Sequence, residues 1–184
     1  FDAFLEKAVA IVNGYKLGDP LDLETSIGPM ANTRFAQQVR AQIDEAVAAG
    51  AKTHIDTMAG DDGGTYLTPQ ILTGVTHDMR VMREESFGPV VGIMPVRDDE
   101  EALALMNDSD FGLTASLWTR DLERAERLGD RIETGTVFLN RADYLDPGLC
   151  WTGCKQTGRG GGLSVIGYHN LTRPKSYHLK KVTG

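Results

Sequence analysis

Between Val90 and Asn140 three short apolar runs alternate with two amphipathic ones, and this alternation constrains the chain more than any other feature. Val90-Val91-Gly92-Ile93-Met94-Pro95-Val96 reads as a buried strand, Asp98 to Met106 as a helix, and Thr114 to Trp118 as a second strand. Asp121 caps a further helix with Leu122, Ala125, Leu128 and Ile132 on one face, and Thr136 to Asn140 is the next strand. A strand returns parallel to its neighbour only through a long crossover, which helices of this length supply. The expected fold is therefore α/β, with an open, mostly parallel βαβ sheet.

Upstream, Phe4, Leu5, Ala8, Val9 and Val12 recur at helical spacing until Gly14 and Gly18-Asp19-Pro20. Asn32 is placed to cap a second helix with a core stripe of Phe35, Val39, Ile43 and Val47, stopped by Gly50. Ala51 to Ile55 is predicted as a short strand. Tyr66 to Leu72 is predicted as another, and Pro69 demotes it to a short or edge position. The last third is loop-rich. Gly160-Gly161-Gly162 lacks a flanking strand and reads as a flexible turn, followed by a short helical stretch up to about Asn170. From Lys175 to Val182 the sequence alternates, Tyr177 and Leu179 against Ser176, His178 and Lys180, as an edge strand able to pair with another chain would. Residues 1–174 are expected to form one domain and 175–184 its terminal strand.

Net charge is −7 over 184 residues, which argues against general nucleic-acid binding. No apolar run approaches a membrane span, and none resembles a signal peptide. The two cysteines, Cys150 and Cys154, are too few for a disulfide framework, so a cytoplasmic compartment is the default expectation. The four histidines have no metal-ligand spacing to the cysteines, and no Walker or G-x-G-x-x-G loop occurs at a strand-helix junction.

Arg83-Glu84-Glu85-Ser86-Phe87-Gly88-Pro89 leads into the Val90 strand through a corner that Pro89 makes rigid. Glu85 and Phe87, two residues apart on extended backbone, point the same way and can hold one ligand, the carboxylate taking hydroxyls and the ring a flat face. A charged loop leading into a strand is the plainer reading of the same residues.

Glu-Glu-Ser-Phe-Gly-Pro-Val resembles the E-x-F-G-P signature of the aldehyde dehydrogenase superfamily. Further motifs follow in that family's order: Asp2-Ala3-Phe4, Gly28-Pro29, Tyr66-Leu67-Thr68-Pro69, Asn107 to Leu113 (the N-x-S-x-x-G-L type) and Gly135 to Asn140. Thr152-Gly153-Cys154-Lys155-Gln156-Thr157-Gly158 is similar to its G-G-x-K-x-S-G. The resemblance implies an enzyme that oxidises an aldehyde to a carboxylic acid with NAD or NADP, through a cysteine thiohemiacetal and thioester. It implies that Glu85 binds the nicotinamide ribose hydroxyls and Phe87 packs beside the nicotinamide. Where the family has P-F-G-G this chain has Cys150-Trp151-Thr152-Gly153, so Trp151 replaces the phenylalanine lining the aldehyde tunnel. Arg141 opens the presumed substrate loop, where it either recognises an acidic aldehyde such as a semialdehyde or is a solvated surface arginine.

The resemblance places the nucleophilic cysteine, general-base glutamate, oxyanion asparagine and nucleotide-binding fold upstream of Phe1, and neither cysteine here matches the nucleophile's motif. No catalytic residue is assigned within the chain, which is read as a catalytic-domain fragment, inactive alone. Its implied partners are a small-molecule aldehyde and further copies of itself, as a homo-dimer or homo-tetramer; nucleic acid, membrane and metal are not expected. A non-catalytic binding or assembly module and a coenzyme-A-acylating aldehyde dehydrogenase are the alternative readings.

Overall fold

A computed structural model describes residues 1–142 and 144–182. The fold is α/β and divides into two compact units, Phe1–Arg97 and Asp98–Gly184.

The first unit contains α1 (Asp2–Asn13), α2 (Thr33–Ala48), β1 (Lys52–Thr53), β2 (Gln70–Thr73), α3 (Arg80–Arg83) and β3 (Val90–Ile93). Asn32 caps α2 as expected, its side chain accepting from the Phe35 N–H at 3.0 Å, and Gly50 follows the helix at φ +105°, which favours glycine. The buried face of α2 is rotated from the predicted stripe. Val39 and Ile43 are buried, but Ala36, Ala46 and Gln42 join them in place of Phe35 and Val47. Small alanines let the helix approach its sheet, and a polar residue sits among them because its amide is satisfied there. The core is Val39, Ile43, Ala46, Ala51, Leu67, Leu72 and Val75, with Met30, Met82, Val90 and Met94 packed against it.

The sheet order is β1-β2-β3, antiparallel then parallel, with Gln70 opposite Val90 and Thr73 opposite Ile93. The strand holding Ile71 and Leu72 is therefore central and not an edge. Pro69 lies one residue before it, so no ladder N–H is missing.

The second unit contains α4 (Asp99–Asn107), β4 (Phe111–Gly112), β5 (Thr114–Leu117), α5 (Leu122–Gly129), β6 (Thr136–Leu139), β7 (Trp151–Thr152), β8 (Cys154–Lys155), β9 (Gly161–Gly162) and α6 (Ser164–Asn170). Asp98 and Asp121 cap α4 and α5, each accepting a backbone N–H at 2.9 Å. β5 and β6 pair in parallel across α5, the βαβ unit that the periodicity predicts. Leu103 of α4 and Ala125, Ile132 and Phe138 are the buried apolar residues among those described in the second unit.

Two short antiparallel pairs, β4 with β8 and β7 with β9, were not visible in the sequence. The second overturns the reading of the glycine run as a flexible turn. Gly161 faces Thr152 and Gly162 faces Trp151, and a Cβ on Gly161 would lie 2.5 Å from Cys150 Sγ. Lys175 to Val182, the expected edge strand, is exposed and pairs with no strand within the described residues.

Candidate functional site

The corner after α3 is held from two sides. Its backbone is extended at Glu84 (φ −91°, ψ 152°), and alternate residues face opposite ways. Glu84 and Ser86 turn to α2, where Gln42 Nε2 donates to Glu84 Oε2 at 3.2 Å and Ser86 Oγ donates to Gln42 Oε1 at 2.7 Å. Glu85 is exposed, and Phe87 is 73% exposed, high for so large an apolar ring. Thus both residues predicted to contact a cofactor are exposed on the corner.

Arg80 grips Glu84 with two parallel bonds, Nε to Oε1 at 3.0 Å and NH2 to Oε2 at 2.9 Å, and its NH1 reaches Glu45 of α2 at 2.8 Å. The Arg80 guanidinium, and secondarily Gln42, hold the Glu84 carboxyl below the usual glutamate range. Glu84, and then Glu45, raise Arg80 in return. Both groups are solvated, so the pair orients more than it stabilises.

Beyond Phe87 the backbone touches the helix directly. A Cβ on Gly88 would lie 2.7 Å from Val39 Cγ2, so only glycine permits this approach. The Pro89 carbonyl accepts from Gln70 N–H at 2.8 Å, which fixes the corner to β2.

In the second unit, Arg141 leaves the end of β6. Asn140, at φ +53°, clamps that end: its Oδ1 accepts from Thr119 N–H at 2.9 Å and its Nδ2 donates to the Thr119 carbonyl at 2.8 Å. Ser116 Oγ donates to the Arg141 carbonyl. The backbone of Arg141 is thereby set, while its exposed guanidinium stacks 4.0 Å from the Tyr144 ring centroid. Trp151 is half-buried in β7, opposite Gly162.

Two of the sequence motifs prove to be mutual supports. Lys155 Nζ donates to the carbonyls of Asn107 (2.6 Å) and Ser109 (3.0 Å) and pairs with Glu133 at 2.7 Å. Thr157 Oγ1 accepts from Gly112 N–H at 2.9 Å, and Asn107 bonds the backbone at Arg131 and Glu133. A Cβ on Gly135 would lie 1.7 Å from the Thr152 carbonyl oxygen, so this packing admits no side chain there.

A groove of about 610 Å³ lies beside β9, lined by Pro147, Leu163, Ser164, Val165, Tyr168 and others, but by none of Glu85, Phe87, Arg141 or Trp151. Among the described residues no three of His, Cys, Asp or Glu come together to hold a metal, both cysteines are free thiols, and no helix is long and apolar enough to cross a membrane. Sequence reasoning missed Gln42 and Arg80. The available signal was a glutamine at the buried spacing of α2, three residues from Val39 and four from Ala46.

The profile of the Aldehyde dehydrogenase family matches residues 1–177. This chain belongs to the aldehyde dehydrogenase family. It is 40% identical over 171 residues to the succinate semialdehyde dehydrogenase [NAD(P)+] Sad of Escherichia coli (strain K12), covering 92% of this chain and 37% of that protein. Among solved structures it is similar to succinic semialdehyde dehydrogenase from Streptococcus pyogenes in complex with NADP+ (TM-score 0.84, 34% identity, 91% of this chain and 37% of that one). It is also similar to betaine aldehyde dehydrogenase from Staphylococcus aureus in complex with NAD+ (TM-score 0.85, 29% identity, 92% of this chain and 34% of that one). This aldehyde dehydrogenase chain thus spans a little over a third of the length of these relatives.

Proposed function

We propose that this chain is the positioning part of an NAD(P)-dependent aldehyde dehydrogenase, in which Glu85 and Phe87 hold the nicotinamide end of the cofactor. The observation that carries the reading is the corner itself: a carboxylate and an aromatic ring face outward from a backbone fixed by α2 and β2. The cofactor, when bound, supplies the hydride acceptor.

The residues present suit that group. An ionised carboxylate only accepts, and its two oxygens match the two vicinal hydroxyls of a ribose. The exposed Phe87 ring offers a flat apolar surface beside it. Fixing the ribose limits the swing of the nicotinamide, and alignment of a hydride acceptor is worth orders of magnitude in rate. Trp151 and Arg141 would contribute on the substrate side, the indole as an apolar wall and the guanidinium toward an anionic end of the aldehyde. Relatives that act on semialdehydes, as their names say, support an acidic aldehyde as the substrate class. The nucleophilic cysteine matches no residue here, so the 184-residue chain is expected to oxidise no aldehyde by itself.

Glu85→Gln in the complete enzyme tests the assignment. Glutamine keeps the shape but leaves one acceptor oxygen, so one ribose hydroxyl loses a charged bond worth roughly 1.5–3 kcal/mol. A kcat loss of about ten- to a hundredfold is expected, with a larger isotope effect from deuterated aldehyde as the slow step moves to hydride transfer. Wild-type kcat with an unchanged isotope effect would refute it.

A further inference from the structure

We infer that Gln42 is a positioning residue for the cofactor corner: its one buried amide holds Glu84 and Ser86, the two residues flanking Glu85, and thereby fixes Glu85 between them. The inference rests on the reading of Glu85 given above and adds the device that keeps that carboxylate in place.

Gln42 is 0% exposed on the face of α2 that also buries Val39, Ile43 and Ala46. A hydrocarbon side chain would be the ordinary occupant of such a position. A buried amide is costly unless its oxygen and nitrogen are both satisfied. Here both are, and both partners lie on the corner: Glu84 at one end of the amide, Ser86 at the other. The orientation of the amide follows from chemistry. An ionised Glu84 can only accept, so Nε2 faces it, and the Ser86 hydroxyl is left to donate to Oε1.

Two anchors, one residue before Glu85 and one after it, restrain the intervening peptide in a way that a single anchor cannot. Arg80 also holds Glu84, but it does so from an exposed position and has no bond to Ser86. With Gln42 removed, the Glu84 side remains tied through Arg80 while the Ser86 side is released. The corner could then pivot toward solvent, carrying the Glu85 carboxylate with it. A misplacement of about 1 Å at a distance from the chemistry can cost a hundredfold in rate.

The test uses the complete enzyme, with active sites titrated so that rates are per competent site, and single-turnover hydride transfer measured with protiated and deuterated aldehyde. Gln42→Met keeps the length and apolar bulk and deletes both bonds. It is expected to slow hydride transfer about tenfold, to raise the observed isotope effect, and to leave AMP affinity, a probe of the adenosine end, within twofold of wild type. Ser86→Ala, which removes one anchor, is expected to shift the same readouts in the same direction by less. The double variant is expected to be no worse than Gln42→Met, because the bond between the two is already gone. If Gln42→Met does not fold, Ser86→Ala carries the test through the same isotope effect. Glu85→Gln run in parallel separates the failures. If it leaves the rate and isotope effect at wild-type values, the reading of Glu85 falls and this inference falls with it. If Glu85→Gln slows hydride transfer while Gln42→Met and Ser86→Ala keep wild-type rates per site, the reading stands and the positioning role is overturned. Fewer competent sites at an unchanged rate per site would likewise overturn it, since that is what a purely structural residue does.

Discussion

Replacing Gly88 with alanine tests how tightly the corner between α3 and β3 is pressed against α2. The added Cβ would lie 2.7 and 3.2 Å from the two Val39 methyls and 3.1 Å from Met30 Cε. Carbons in contact sit at about 3.5–4.0 Å, so helix or corner must retreat by about 0.8 Å or more. Met30 ends in a flexible thioether and can swing aside. Val39 cannot: it is β-branched, stiff in a helix, and 2% exposed in the core. Overpacking of this kind costs about 1–3 kcal/mol, against which alanine recovers about 0.4–1 kcal/mol by restricting the unfolded chain. A net loss of about 1–2 kcal/mol is expected, read as a lower urea midpoint at unchanged slope. Val39→Ala removes both obstructing methyls and on its own costs about 2 kcal/mol through the cavity it leaves. Combined with Gly88→Ala it fills that cavity, so the double variant should be more stable than the sum of the singles by about 1 kcal/mol. Strict additivity, to within about 0.3–0.5 kcal/mol, would show that the contact is not the source of the cost and refute the reasoning.

Arg40→Ala should destabilise the first unit by about 2–4 kcal/mol in urea denaturation, because the guanidinium donates to Asp61, Gly64 and Tyr66 while both charged side chains are mostly buried. Burial raises the Asp61 carboxyl, but hydrogen bonds from Thr68, Gly63 and Arg40 more than offset that and leave it below its ordinary value. A depressed carboxyl stabilises above its unfolded value and loses that stabilisation as pH falls through the folded one, so the gap between wild type and variant should narrow below about pH 4. Arg141→Ala should lower kcat/KM for an acidic aldehyde about tenfold more than for a neutral one of equal length, and equal losses would leave Arg141 as a surface residue stacked on Tyr144. Deleting residues 175–182, which are exposed and unpaired within the described chain, should reduce the oligomeric mass in light scattering, and an unchanged mass would dispose of the edge-strand proposal.

What could be read from the sequence was whatever depends on neighbours along the chain. The caps at Asn32 and Asp121, the helix starting near Asp98 and the β5–α5–β6 unit followed from local side-chain chemistry and periodicity. That Glu85 and Phe87 would both be exposed on the corner was legible because alternation along extended backbone is local too. The β4–β8 and β7–β9 pairs were not legible. Two-residue strands carry no period, and their partners lie far apart in sequence, as Gly112 and Cys154 do. Gln42 escaped for a different reason. Hydrophobic patterning assigns a glutamine to the solvent face, and only the arrival of Glu84 and Ser86, more than forty residues later, makes burial of its amide affordable.

One amide that answers two neighbours binds three positions into a single heritable unit. Change at 42 alone takes the amide from Ser86 and leaves Glu84 to Arg80, while change at 86 alone strands an amide oxygen at 0% exposure. Each step on its own is a descent, so a lineage can leave this arrangement only by exchanging the members nearly together. Among descendants of this sequence, positions 42, 84 and 86 should therefore covary.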